Sequence, residues 1–138
     1  TFGRSYAHFL DDNGLHPFVV TELTSPEVMQ RNLHWARYAV VHDMFHVLLG
    51  AGPDLAGEAK VYAFTLAQRI SRVFWLWLPV ALLVLPLLAP HRVGAMVRGA
   101  RAGWAAGRRV PLLMAQRLED HFGEELVRAR VRVLGRED

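Results

Sequence analysis

Apolar positions recur at three- and four-residue spacing along most of this 138-residue chain, and no stretch alternates convincingly with a period of two. That pattern predicts helices and no sheet. Arg4 to Asp12 reads as a short helix stopped by Asn13-Gly14, followed by a loop to about Thr24. Ser25, Pro26 and Glu27 supply a cap, a first-turn proline and a dipole-compatible acid for a long helix reaching Leu49. Gly50-Ala51-Gly52-Pro53 ends it, and Asp54 is placed to cap a second helix from Leu55.

Val73 to Pro90 then runs without a formal charge, close to the length that spans a hydrocarbon core. Pro79 and Pro86 are expected to kink or end the helices there. A buried core helix or an element lying in the membrane interface is therefore favoured over a span, with Trp75, Trp77 and Trp104 placed in the core. Residues 93–107 are helical and rich in Gly and Ala, which permits close helix packing. After Gly107-Arg108-Arg109, Pro111 is expected to open one more helix, running past Glu119 and Asp120 to Leu134-Gly135, with surface pairs such as Glu124 with Arg128. The expectation is one all-α domain over residues 1–138, with a metal site between two adjacent long helices and an apolar groove. Because the first residue is Thr1, an upstream segment is also expected.

Composition narrows the chemistry. The absence of cysteine excludes disulfides, thiolate zinc sites and iron-sulfur clusters. Net charge is +3, carried almost wholly by arginine, with Lys60 the sole lysine. The arginines between Arg92 and Arg109 favour anionic partners, since a planar guanidinium donates in pairs to phosphate or carboxylate. Nucleic acid is not expected, because that segment is interleaved with Gly, Ala and Val rather than stacking aromatics.

The candidate chemistry lies in His42-Asp43-Met44-Phe45-His46 and the later Glu58. Histidines four apart share a helix face, so His42 and His46 can converge on one ion, with Asp43 beside them and Glu58 arriving from the next helix. Two imidazoles with carboxylates suit a divalent metal, zinc first and iron or manganese next. A satisfied core hydrogen bond is the alternative for any single histidine. For the whole set, desolvating two histidines and two carboxylates calls for a compensating cation. His8, His16, His34, His91 and His121 show no ligand spacing.

These residues resemble those of the fourth coenzyme Q (ubiquinone) biosynthesis protein family, an all-helical family marked by HDxxH followed by a downstream Glu. The match consists of His42-Asp43-x-x-His46-x-Leu48-Leu49-Gly50 and Gly57-Glu58, with Tyr38, Pro90-x-Arg92-x-Gly94, Gly107-Arg108-Arg109-x-Pro111 and Gly3-Arg4-x-Tyr6. The resemblance implies that His42, Asp43, His46 and Glu58 bind and use the metal, usually zinc. It further implies loss of the C1 carboxylate from a polyprenylated hydroxybenzoate, coupled in some members to hydroxylation there. Arg92, Arg98 and Arg101 are candidate contacts for the anionic head, and the apolar run suits the tail. Expected partners are the quinone precursor, a membrane surface, a second copy of the chain and other quinone-biosynthesis proteins. The expected location is peripheral, on the cytoplasmic face of a bacterial membrane or the matrix side of the mitochondrial inner membrane.

Two rival readings stay open. HDxxH differs from the HExxH peptidase signature by one shorter acid, with Glu58 then the third ligand and Asp43 the general base, and an α-helical phosphohydrolase could be built around the His-Asp doublet. The other rival is a non-catalytic lipid-binding scaffold, since four protein ligands characterise closed, structural zinc sites.

Overall fold

A computed structural model describes residues 1–17 and 25–135; the expected loop up to Thr24 falls largely outside that range. The described residues form seven α-helices and three short 3-10 turns, with no strand. The first helix, α1 (Phe2–Asp12), begins two residues before the expected start because the Thr1 hydroxyl accepts from the Arg4 amide. Next come α2 (Pro26–Arg31) and α3 (Leu33–Leu49), where one continuous helix was expected. The break is at Asn32, whose ψ of 19° leaves the helical range while its side-chain amide donates to the Val28 carbonyl at 2.8 Å. An asparagine that bonds the preceding turn competes in this way with the backbone ladder.

Helix α3 is the centre of the core. Val41, Phe45 and Leu48 are buried on it, against Val61 and Phe64 of α4 (Leu55–Ala67), Phe2 of α1, and Ala129 and Val133 of α7 (Leu126–Leu134). Asp54 caps α4 as expected, its carboxylate accepting from the Gly57 amide at 2.8 Å. Gly50 closes α3 in the left-handed conformation, its amide donating to the Val47 carbonyl at 3.3 Å, and Arg130 of α7 adds a second hydrogen bond to the same carbonyl at 2.9 Å.

The apolar run forms one helix, α5 (Arg72–Leu88), that continues past both Pro79 and Pro86 rather than ending there, and none of its residues is buried, so of the two expected settings the buried core is not the one it occupies. Leu76, Leu83 and Leu88 are each about 70% exposed, and Trp75, Trp77 and Trp104 lie on the surface rather than in the core. The cause is the packing of its neighbours. A 3-10 turn (Pro90–Arg92) leads from α5 into α6 (Val93–Gly107), which lies directly on α4. Gly99, Gly103 and Gly107 form one face of α6, and a Cβ on any of them would collide with the backbone of Ala56, Lys60 or Phe64. With α4 and α6 in backbone contact, α5 is left at their edge, anchored by the Tyr62 hydroxyl donating to the Phe74 carbonyl. Among the described residues no single helix is long and apolar enough to cross a membrane; α5 and α6 pass that test only together, as a pair bent by 109°.

The long helix expected after Pro111 is also absent. Two 3-10 turns, Leu113–Ala115 and Leu118–His121, precede α7. Arg37 of α3 donates to the Met114 carbonyl at 3.3 Å and the Gln116 carbonyl at 2.6 Å, and pairs with Glu119. Those carbonyls thus face a guanidinium from elsewhere in the fold, and Gly123 interrupts the remaining pattern. Glu124 pairs with His121 and Arg132 rather than Arg128, which meets Glu125.

Candidate metal centre

His42 and His46 stand one turn apart on α3, and Glu58 lies in the first turn of α4. The Gly50 to Pro53 corner folds the second helix onto the first. One ligand atom from each of His42, His46 and Glu58 lies within 4.8 Å of the others. His46 is 1% exposed, while the Glu58 side chain is 48% exposed, so the group is buried on one side and open on the other.

The hydrogen bonds fix which imidazole nitrogens point inward. Nδ1 of His46 lies 3.1 Å from the Gly52 carbonyl and 3.3 Å from that of Ala51. Carbonyl oxygens only accept, so Nδ1 carries the proton. In the neutral ring the lone pair is then on Nε2, which faces the Glu58 carboxylate at 3.4 Å. Two electron-rich atoms so placed are able to share a cation. His42 repeats the arrangement, its Nδ1 donating to the Asp43 carboxylate at 3.2 Å. A partner oxygen on Nδ1 that orients the ring and raises the basicity of Nε2 is a common feature of metal-bound histidines. The donor set therefore fits a divalent ion.

Of the four expected ligands, the structure gathers three and puts the fourth, Asp43, against His42. Packing fixes the rings further: Phe9 stacks on His46 at 5.4 Å, and Tyr38 meets His42 edge-on at 5.5 Å. Burial raises the pKa of Tyr38, a shift partly offset by its hydrogen bond with Thr65 and increased by the charge of Glu58, so its hydroxyl stays protonated. Arg92, Arg98 and Arg101 are exposed and do not line the cavity beside Glu58. His8, His16, His34 and His91 are exposed, and among the described residues none of them joins a candidate metal cluster.

Sequence reading missed the backbone part of the site. A Cβ on Gly57 would fall on the Gly52 backbone, so glycine at 57 is what allows the Gly52 carbonyl to approach. The available signal was the Gly57-Glu58 pair. Where an apolar groove was expected along the run from Val73 and its Gly/Ala-rich neighbour, a cavity of about 320 Å³ lies between α4, α5 and α6, walled by Glu58, Tyr62, Leu78, Leu85, Met96 and Val97 among others. Its surface is almost entirely apolar, and Glu58 is its acidic edge.

A helical chain that sets two histidines and a glutamate from adjacent helices beside an apolar cavity falls in the class of all-α proteins with a thiolate-free site able to hold a metal. The chain belongs to the coenzyme Q (ubiquinone) biosynthesis protein Coq4 family, whose model matches residues 1–133. Membership assigns it a role in coenzyme Q biosynthesis. It is similar to proteins called "Ubiquinone biosynthesis protein COQ4 homolog, mitochondrial": 35% identical over 68 residues to that of Danio rerio, 39% over 70 to that of Bos taurus and 40% over 70 to that of Xenopus tropicalis. Each match covers 49% of this chain and 25%, 26% and 24% of the respective relative.

Proposed function

We propose that this chain catalyses metal-dependent removal of the C1 carboxylate from a polyprenylated hydroxybenzoate. The observation that carries the reading is that Glu58 belongs both to the His-His-Glu group and to the wall of the apolar cavity. A substrate with its long tail in that cavity brings its ring to the open side of the cluster. A divalent ion held by His42, His46 and Glu58, zinc foremost and iron or manganese as alternatives, supplies Lewis-acid stabilisation of charge on the ring oxygen or carboxylate. With Asp43 turned to His42, three side chains rather than four would hold the ion, the number used by catalytic rather than closed structural zinc sites.

The chain's own residues position the reaction. Asp43 and the Ala51 and Gly52 carbonyls hold the Nδ1 side of both imidazoles, leaving Nε2 for the cluster. The leucines, valines and Met96 of the cavity exclude water from the tail. Loss of carbon dioxide leaves the electron pair of the broken bond on C1, where a proton takes it up. An oxidative version instead draws an oxygen atom from dioxygen and needs a two-electron reductant. The head-group role of Arg92, Arg98 and Arg101 belongs to this proposal, as do a second copy of the chain and other quinone-biosynthesis proteins as partners. So does a peripheral location, with the exposed face of α5 on a membrane, either the cytoplasmic face in a bacterium or the matrix side of the mitochondrial inner membrane.

The test is carbon dioxide release from a short-tailed, carboxyl-labelled prenyl hydroxybenzoate, with and without dioxygen and reductant. Release that disappears in Glu58→Gln supports the reading. Full metal loading and tight lipid binding without release would make the chain a non-catalytic isoprenoid carrier.

A further inference from the structure

A second recess, of about 380 Å³, lies at the end of α4 away from Glu58. Gln68 and Arg69 line it from the end of α4, Trp75 from α5, and Trp104, Gly107 and Arg108 from α6 and the corner after it. The Trp75 and Trp104 rings meet edge to face at 6.0 Å. Gln68 fixes the backbone segments that carry the two arginines relative to one another. Its amide nitrogen donates to the Gly107 carbonyl at 2.9 Å and the Val110 carbonyl at 3.0 Å, and its oxygen accepts from the Leu113 amide at 2.7 Å. This clamp ties the Arg108 corner to the end of α4, beside Arg69.

Arg69 is also an unusual residue for its backbone. Its φ of 53° is left-handed, just past a helix end where glycine is the common choice. An arginine there incurs backbone strain that glycine would avoid. Charge points the same way. Every formally charged residue between Glu58 and Glu119 is a cation. Among the described residues, the guanidiniums of Arg69, Arg72, Arg108 and Arg109 have neither a carboxylate nor a hydrogen-bond partner. Two arginines with no carboxylate partner line one recess, and a planar guanidinium fork matches phosphate oxygens. Tryptophans at its wall and the exposed apolar face of α5 starting beside it are what a protein presents at the headgroup level of a bilayer.

We propose that this recess binds a phosphate group, supplied by an anionic phospholipid on which the α5 and α6 pair lies. The proposal rests on the membrane part of the functional reading and is independent of the metal cluster. It is tested by two double variants that remove the same charge from the same end of the molecule. Arg69→Gly with Arg108→Gln removes the cations lining the recess, and glycine suits the left-handed backbone, so the fold is kept. Arg72→Gln with Arg109→Gln removes the flanking cations that do not line it.

Both are compared with the unaltered chain for co-sedimentation with phosphatidylcholine vesicles, with and without phosphatidylglycerol. Calorimetric titration with inorganic phosphate and with a soluble short-chain phosphatidylglycerol completes the test. The expected result is a loss of affinity for anionic vesicles about tenfold greater in the recess variant than in the flanking variant. Loss of short-chain lipid binding in the recess variant identifies a lipid headgroup as the source. Loss of inorganic phosphate binding, with no tighter binding of the lipid, keeps the site and identifies free phosphate. Equal losses in the two variants, or no loss in either, overturn the site. An unaltered chain indifferent to both vesicles and phosphate overturns the membrane reading with it.

Discussion

The Gly52 backbone occupies the space that a Cβ on Gly57 would take, and the Gly52 carbonyl is the oxygen that faces His46 Nδ1 at 3.1 Å. A missing side chain on α4 thereby sets the orientation of an imidazole on α3. Gly57→Ala is expected to push the corner away, free the ring and weaken zinc binding about tenfold to a hundredfold, the range typical for loss of an orienting partner. Competitive titration of zinc against a chelator measures it, with circular dichroism showing that the helices persist. Unchanged affinity would separate the glycine from the site.

Asp43 is expected to position His42 rather than to bind the ion. Asp43→Asn keeps an oxygen acceptor for His42 Nδ1 and should retain zinc to within a few-fold, whereas Asp43→Ala should lose about tenfold or more. A direct ligand would give a different outcome, with Asp43→Asn failing as badly as His46→Ala in the same titration.

The glycine face of α6 is expected to govern stability. A Cβ on Gly103 would strike the Lys60 backbone, so Gly103→Ala must separate α4 from α6. A loss of about 1–3 kcal/mol is expected, the usual effect of overpacking a close contact. Urea denaturation gives the value, and Gly123→Ala, at a glycine whose added Cβ meets nothing within 4 Å, is the comparison.

Stability in acid should depend on Arg37 and Glu119. The hydrogen bond from Arg37 holds the Glu119 carboxyl below its ordinary value of 4.5, against the opposing effect of partial burial. In the folded chain that group therefore gives up its proton more readily than in the unfolded one. Its contribution is present above the unfolded value and is lost as pH falls through the folded value. Glu119→Gln should lower the urea midpoint at neutral pH, and the gap should close in acid. A gap that stays constant with pH would show that the pair contributes nothing through ionisation.

Where one local rule dominates, the sequence was sufficient. Asp54 and Ser25 cap their helices, Gly50 stops α3, and the four-residue spacing of His42 and His46 puts both imidazoles on one helix face. Tertiary contacts decided the rest. Arg37 reaches the 114 to 119 segment from a distant helix, and Asn32 turns its own amide onto the preceding turn. The run from Val73 could be read as buried because it is apolar, yet burial needs a partner surface, and the glycines of α6 give α4 to α6 instead. Even the cluster was legible only as side chains. The carbonyls of Ala51 and Gly52, which orient His46, have no signature beyond the glycines that admit them.

The most direct measurement is zinc titration of the metal-stripped chain beside Glu58→Gln, with helical content monitored in both. One equivalent bound by the unaltered chain, with affinity about a hundredfold or more lower in the variant, is the expected result, since a lost ligand should exceed the effect of a lost orienting partner. Equal affinity in two equally folded proteins would contradict a metal centre built from His42, His46 and Glu58.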